Sequence, residues 1–167
     1  MRPEINAGEI VPARIARAFE ASLQSNVYAV LRLNRDLDGV RADRSIYVDE
    51  AVRFMARLAQ RVRGKRVYGR LPHLKRFLPN AMSIEQLVEG PHFNLMIHRP
   101  DSWDFEAFEM ALKEEWLKSP WAANDDERAI KIEARQPGSC LFGYCNKEGD
   151  EALIVETLRF ATLCRGD

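Results

Sequence analysis

Residues 81 to 98 read AMSIEQLVEGPHFNLMIH, and this stretch decides the fold. Two extended runs, 81 to 88 and 92 to 98, flank Glu89, Gly90 and Pro91, which break regular structure and favour a turn. Two such runs joined by a short turn predict a β-hairpin.

Side chains alternate across a strand, so His92 and Asn94 share one face while Phe93, Leu95 and Ile97 point to the core. If 81 to 88 pairs with this strand, Glu85 stands opposite them. A carboxylate oxygen, an imidazole nitrogen and an amide oxygen suit Mg²⁺ or Mn²⁺ better than a structural zinc ion. Glu89 is the rival carboxylate. Spacing alone fits a strand-end histidine and a solvated asparagine better than a metal site. His73, near prolines, and His98, at a strand end, receive no ligand role.

Working outward, residues 46 to 63 place Val48, Val52, Met55, Leu58, Ala59 and Val62 on one stripe, and Gly64 supplies a stop, so a helix is predicted. Residues 104 to 118 begin at an Asp cap and space Phe105, Phe108, Leu112 and Trp116 by three and four, predicting another. Residues 27 to 33 and 129 to 135 read as strands, with Asn34, Asp36, Asp38 and Gly39 as turn signals after the first. A short helix is predicted over 12 to 23, a loop over 68 to 79, a helix from Ser139 to Lys147, and a last helix over 150 to 163. The sum is one α+β domain over 1 to 167, with an antiparallel or mixed sheet of four to five strands and helices packed on its faces.

With 46% hydrophobic residues, a folded core is expected. No apolar run is long enough to span a bilayer and the N-terminus lacks a signal-peptide layout, so a cytoplasmic protein without a membrane partner is expected. Cys140, Cys145 and Cys164 have neither disulfide-framework nor zinc-ribbon spacing and read as reduced thiols. The net charge is zero, yet residues 1 to 82 hold 16 Lys and Arg against 8 Asp and Glu, and residues 83 to 167 hold 9 against 17. The densest basic run extends from Arg57 to Arg76 and includes Arg63, Lys65, Arg66 and Arg70. It fits a DNA phosphate backbone or a solvated helix face equally well.

On a helix from Ser139, Tyr144 and Lys147 share a face. A phenol becomes a nucleophile when a neighbouring ammonium favours its ionised form. On spacing alone, a surface tyrosine beside a solvated lysine is the better fit.

Three segments together resemble one family. VYAVLRLNRD (27 to 36) resembles the first motif of HUH replication initiators, Glu85 followed by PHFNLMI (91 to 97) resembles their metal-binding motif, and GYCNKEGD (143 to 150) resembles their tyrosine motif. The stretch from His98 to Trp121 looks like plasmid and filamentous-phage relatives. The resemblance covers roughly residues 25 to 150. It implies a ferredoxin-like sandwich and a divalent metal, Mg²⁺ or Mn²⁺, held by Glu85, His92 and Asn94. It also implies a nucleophile, Tyr144, assisted by Lys147, and a DNA-binding surface to which Arg32 and the basic run contribute. Asn94 departs from the pattern, standing where a second histidine is usual, though related initiators carry glutamine there.

The implied activity is nicking and rejoining of single-stranded DNA, or of a hairpin at a replication origin, through a 5′-phosphotyrosine in rolling-circle replication. One tyrosine in the motif implies a single-tyrosine enzyme. No Gly-Lys-Ser/Thr phosphate loop is present, so no helicase domain is expected and a host helicase would do the unwinding. Two other readings compete. One is an origin-binding protein weakened in catalysis by Asn94; the other is a sheet-based RNA-binding module with Tyr28 as its stacking ring.

Overall fold

The alternation of Val27, Ala29 and Leu31 with Tyr28, Val30 and Arg32 is that of a strand with one face in a core, and a strand forms there: β1 (Val27–Arg32). The structure, a computed structural model, describes residues 21–86, 90–124, 128–135 and 152–161. After β1 come a small hairpin of β2 (Asp36–Leu37) and β3 (Val40–Arg41), then α1 (Arg44–Arg63), α2 (Lys65–Arg70) and α3 (His73–Arg76). β4 (Asn80–Glu85), β5 (His92–Ile97), α4 (Phe105–Leu117) and β6 (Ile130–Ala134) complete the order. Both segments of the 81 to 98 hairpin are strands, paired antiparallel with Glu85 opposite His92.

The main sheet has the order β4-β5-β1-β6 with every pair antiparallel. Taken with α1 and α4, the chain runs β-α-β-β-α-β, the split arrangement of a ferredoxin-like sandwich. The fold is α+β, as the patterning predicts. Among the described residues, no helix is long and apolar enough to cross a membrane.

Both long helices are built as their caps dictate. Asp43 accepts from the Ile46 amide at 3.1 Å to start α1, and Gly64, at φ 81°, ends it in a conformation that favours glycine. Asp104 accepts from the Ala107 amide at 2.7 Å to start α4. Tyr47, Ala51, Phe54, Met55 and Leu58 of α1 meet Phe108, Ala111, Leu112 and Trp116 of α4 over Phe93, Leu95 and Ile97 of the sheet. Trp116 locks the layers, standing edge-on to Phe54 at 5.4 Å and to Phe93 at 5.6 Å, each such pair contributing about 1 kcal/mol beyond its burial.

Two expectations need correction. The stretch from Tyr68 to Pro79, expected as loop, lies partly in α2 and α3: Pro72 sits at the N-cap of α3, where a missing amide proton costs nothing, and Gly69 is accommodated in α2. The Asp38-Gly39 turn does more than end β1. Both residues have positive φ, 49° and 79°, the geometry of a tight hairpin turn, and they join β2 to β3. The final helix expected over 150 to 163 is replaced, in its described part, by a strap on the β4 edge: Leu153 bridges Ser83, Arg159 bridges Asn80, and the Ile154 amide donates to the Met82 carbonyl at 2.8 Å. Pairing an exposed sheet edge satisfies backbone groups that helix periodicity in 150 to 163 does not register. Residues 21 to 23 are helical, at the end of the helix expected over 12 to 23. The Ser139 to Lys147 helix lies outside the described residues.

Candidate metal and nucleic-acid site

The helices cover one sheet face, and register places the other face's side chains in rows across the strands. Glu85, His92 and Arg32 form the first row; Ser83, Asn94, Val30 and Lys131 the second; Ala81, Met96, Tyr28 and Glu133 the third. The third row is the apolar end. Leu23, Tyr28, Ala81 and Met96 form a second small core there, against which Leu153, Leu158 and Phe160 of the strap pack. The polar end is thus left at the first row.

Of the residues expected to hold a metal, Glu85 and His92 come together. Glu85 Oε2 lies 3.6 Å from His92 Nε2, with the carboxylate buried and the imidazole 17% exposed. That separation is long for a direct hydrogen bond, whereas two ligand atoms on one small cation stand about 3 to 3.5 Å apart at bond lengths near 2.1 Å. His92 Nδ1 lies 3.0 Å from the Gly90 carbonyl oxygen. A carbonyl only accepts, so Nδ1 carries a proton, and Nε2 is the ring nitrogen turned toward the Glu85 carboxylate. A proton on Nε2 would make this an ion pair, whereas an unprotonated Nε2 beside a carboxylate is a donor set that fits a hard divalent cation. No group of three or more His, Cys, Asp or Glu able to hold a metal ion occurs among the described residues, so further ligands would have to be amide or water oxygens.

Asn94 shares the face but is otherwise engaged. Its Oδ1 accepts from the Tyr28 hydroxyl at 2.8 Å, and its buried Nδ2 has no hydrogen-bond partner among the described residues. A buried donor left so costs about 1 to 3 kcal/mol. Turning the amide over would let Nδ2 donate to Tyr28 and free Oδ1, so Asn94 can add an oxygen only by exchanging its present bond. Glu89, the rival carboxylate, lies outside the described residues, as do Tyr144 and Lys147.

Tyr28 itself was legible as a residue of this face but not as a buried one. At 8% exposure, under the strap and hydrogen-bonded to Asn94, its ring is not offered to a base. The RNA-stacking expectation loses its aromatic.

The basic residues divide. Arg32 stands in register with His92 and brings a guanidinium to the first row. Arg63, expected on DNA, instead braces the chain: its Nε donates to the Arg76 carbonyl at 3.0 Å and its Nη2 to the Phe77 carbonyl at 3.2 Å. Arg57 and Arg61 are likewise spent on Glu50, Glu114 and Glu115. Lys65, Arg66 and Arg70 are exposed.

No protein-family model, no curated protein and no solved structure matches the chain.

Proposed function

We propose that this chain is a metal-dependent, single-tyrosine nicking and joining enzyme of the HUH type, acting on single-stranded DNA or on a hairpin at a replication origin. The observation that carries the reading is the Glu85 and His92 pair, 3.6 Å apart on the sheet face away from the helices, with the His92 tautomer fixed by Gly90 and Arg32 in the same row. The ferredoxin-like order of elements supports it, because that frame pairs the edge strand carrying Glu85 in register with the central strand carrying His92.

Glu85 and His92 would hold Mg²⁺ or Mn²⁺, with an oxygen of Asn94 after its amide turns. Held there, such an ion would supply Lewis-acid polarisation of a phosphate oxygen. Arg32 offsets phosphate charge beside it. The phenolic oxygen of Tyr144 bonds to phosphorus as the bond from phosphorus to the 3′ oxygen breaks. The phenol loses a proton and the 3′ oxygen gains one, and Lys147 favours the ionised phenol. One phosphoester replaces another, so the 3′ hydroxyl can reverse the step and rejoin the strand. The tyrosine motif precedes the strap, whose Leu153 bridges Ser83 on the same strand as Glu85.

Incubation with a random single-stranded DNA pool and Mn²⁺ tests the reading through an adduct that survives denaturing electrophoresis. The second reading, an origin-binding protein with weakened catalysis, is favoured by the engagement of the Asn94 oxygen with Tyr28. It predicts DNA binding and no adduct.

A further inference from the structure

Between Glu50 and Glu85 the chain has no Asp or Glu and nine Lys and Arg. Within that stretch α2 and α3 bury no residue fully, and Tyr68 is their one side chain packed, partly buried, against the main core. Their shape is held from inside by arginines. Arg63 clamps the carbonyls of Arg76 and Phe77, and Arg76 donates to the Leu71 carbonyl at 3.0 Å while its guanidinium lies 5.5 Å over the Tyr68 ring. Lys65, Arg66, Arg70 and Lys75 have no side-chain partner among the described residues. A rigid scaffold thus presents four uncommitted cations.

We infer that the α2–α3 surface is a docking platform for the backbone of duplex nucleic acid, separate from the Glu85 and His92 site. The inference deepens the nicking reading and rests on it for the site to which the duplex is delivered. Charge decides the class of partner: four cations that form no ion pair among the described residues complement a row of phosphates. Ring chemistry decides its form. Single strands are held largely by stacking on exposed Phe, Tyr and Trp rings, and the one such ring among the described residues of α2 and α3, Tyr68, is half-buried with Arg76 standing 5.5 Å over it. A duplex offers phosphates and keeps its base faces inside.

The platform's place in the fold sets its distance from the chemistry. α3 leads directly into the start of β4, and Glu85 is at the far end of that strand. One strand of this length spans roughly 17 Å, the rise of about five base pairs. A paired stem docked at the start of β4 would stand about five base pairs from a phosphate at Glu85 and His92.

The test compares the chain with a variant carrying Lys65→Ala, Arg66→Ala, Arg70→Ala and Lys75→Ala together, all at surface positions outside the proposed metal site. Binding of a 20-base-pair duplex of mixed sequence, roughly two turns, and of an eight-nucleotide single strand is measured across a salt series. The slope of log affinity against log salt for the duplex should fall by about 3 to 4, near 0.9 per lost contact, with affinity for the short single strand changed less than threefold. A duplex slope changed by less than about 1 would overturn the inference, as would equal losses on both ligands. Loss of a concentration-dependent dimer in the variant, with DNA slopes unaltered, would instead make the surface a protein interface. A covalent adduct with unaltered slopes sinks the platform and leaves the nicking reading standing. Altered slopes in a protein that forms no adduct do the reverse.

Discussion

Tyr28 donates its hydroxyl to Asn94 Oδ1 at 2.8 Å, a bond between β1 and β5 with both side chains buried. It ties the polar middle of the sheet face to the small core under the strap. Tyr28→Phe removes the donor and leaves Oδ1 buried without it. The variant should lose about 1 to 3 kcal/mol of stability, read by chemical denaturation. An unchanged midpoint would mean that water or a turned amide restores the bond at no cost.

Cation binding should be visible in stability. An ion that binds only the native state raises it by about 2.7 kcal/mol at a hundredfold excess over Kd. Mn²⁺ should raise the Tm of the wild-type chain and leave Glu85→Gln and His92→Ala unmoved. Phe93 alternates with His92 and packs on Trp116, so Phe93→Ala should cost about 3 to 5 kcal/mol while the folded variant keeps its Mn²⁺ response. A metal response that survives both ligand substitutions would remove the cation from this pair.

Acid should weaken the joint between α1 and α4. Burial pushes the Glu115 carboxyl up, but hydrogen bonds from Lys118 at 2.7 Å and Arg61 at 3.2 Å outweigh it and hold the group below its ordinary value of 4.5. A carboxyl lowered in the folded state adds stability above its unfolded pKa, and that contribution disappears as pH falls through the folded one. Glu115→Gln should be less stable than wild type near pH 7, and the gap should narrow once pH drops below about 4.5. Denaturation curves of both chains from pH 7 to pH 3 check this. A gap that does not vary with pH would contradict the assignment.

Much of the frame was legible because it is local. Gly64 ends α1, Asp104 caps α4, and the alternation of His92 with Phe93 fixes which face Glu85 must share, whereas the Asp43 cap, ahead of the expected start of α1, was not read. What escaped was nonlocal or context-bound. Residues 152 to 161 read as a helix by periodicity, but Leu153 and Arg159 satisfy the open edge of β4, a demand made by residues about 70 positions away. Pro72 reads as a breaker unless its place at the start of α3 is known. Tyr28 reads as an exposed ring until the strap is laid over it. In the candidate site, the pairing of Glu85 with His92 follows from register, whereas the fate of the Asn94 oxygen depends on a hydroxyl on another strand.

The central claim is the covalent step, and the most direct measurement is intact mass spectrometry of the chain after incubation with single-stranded DNA and Mn²⁺. The account predicts a mass increased by a 5′-phosphorylated DNA fragment on Tyr144, lost in Tyr144→Phe and absent when His92 is replaced by Ala. An adduct that persists in Tyr144→Phe, or DNA cut to free 5′ phosphates with no protein-linked product, would contradict it.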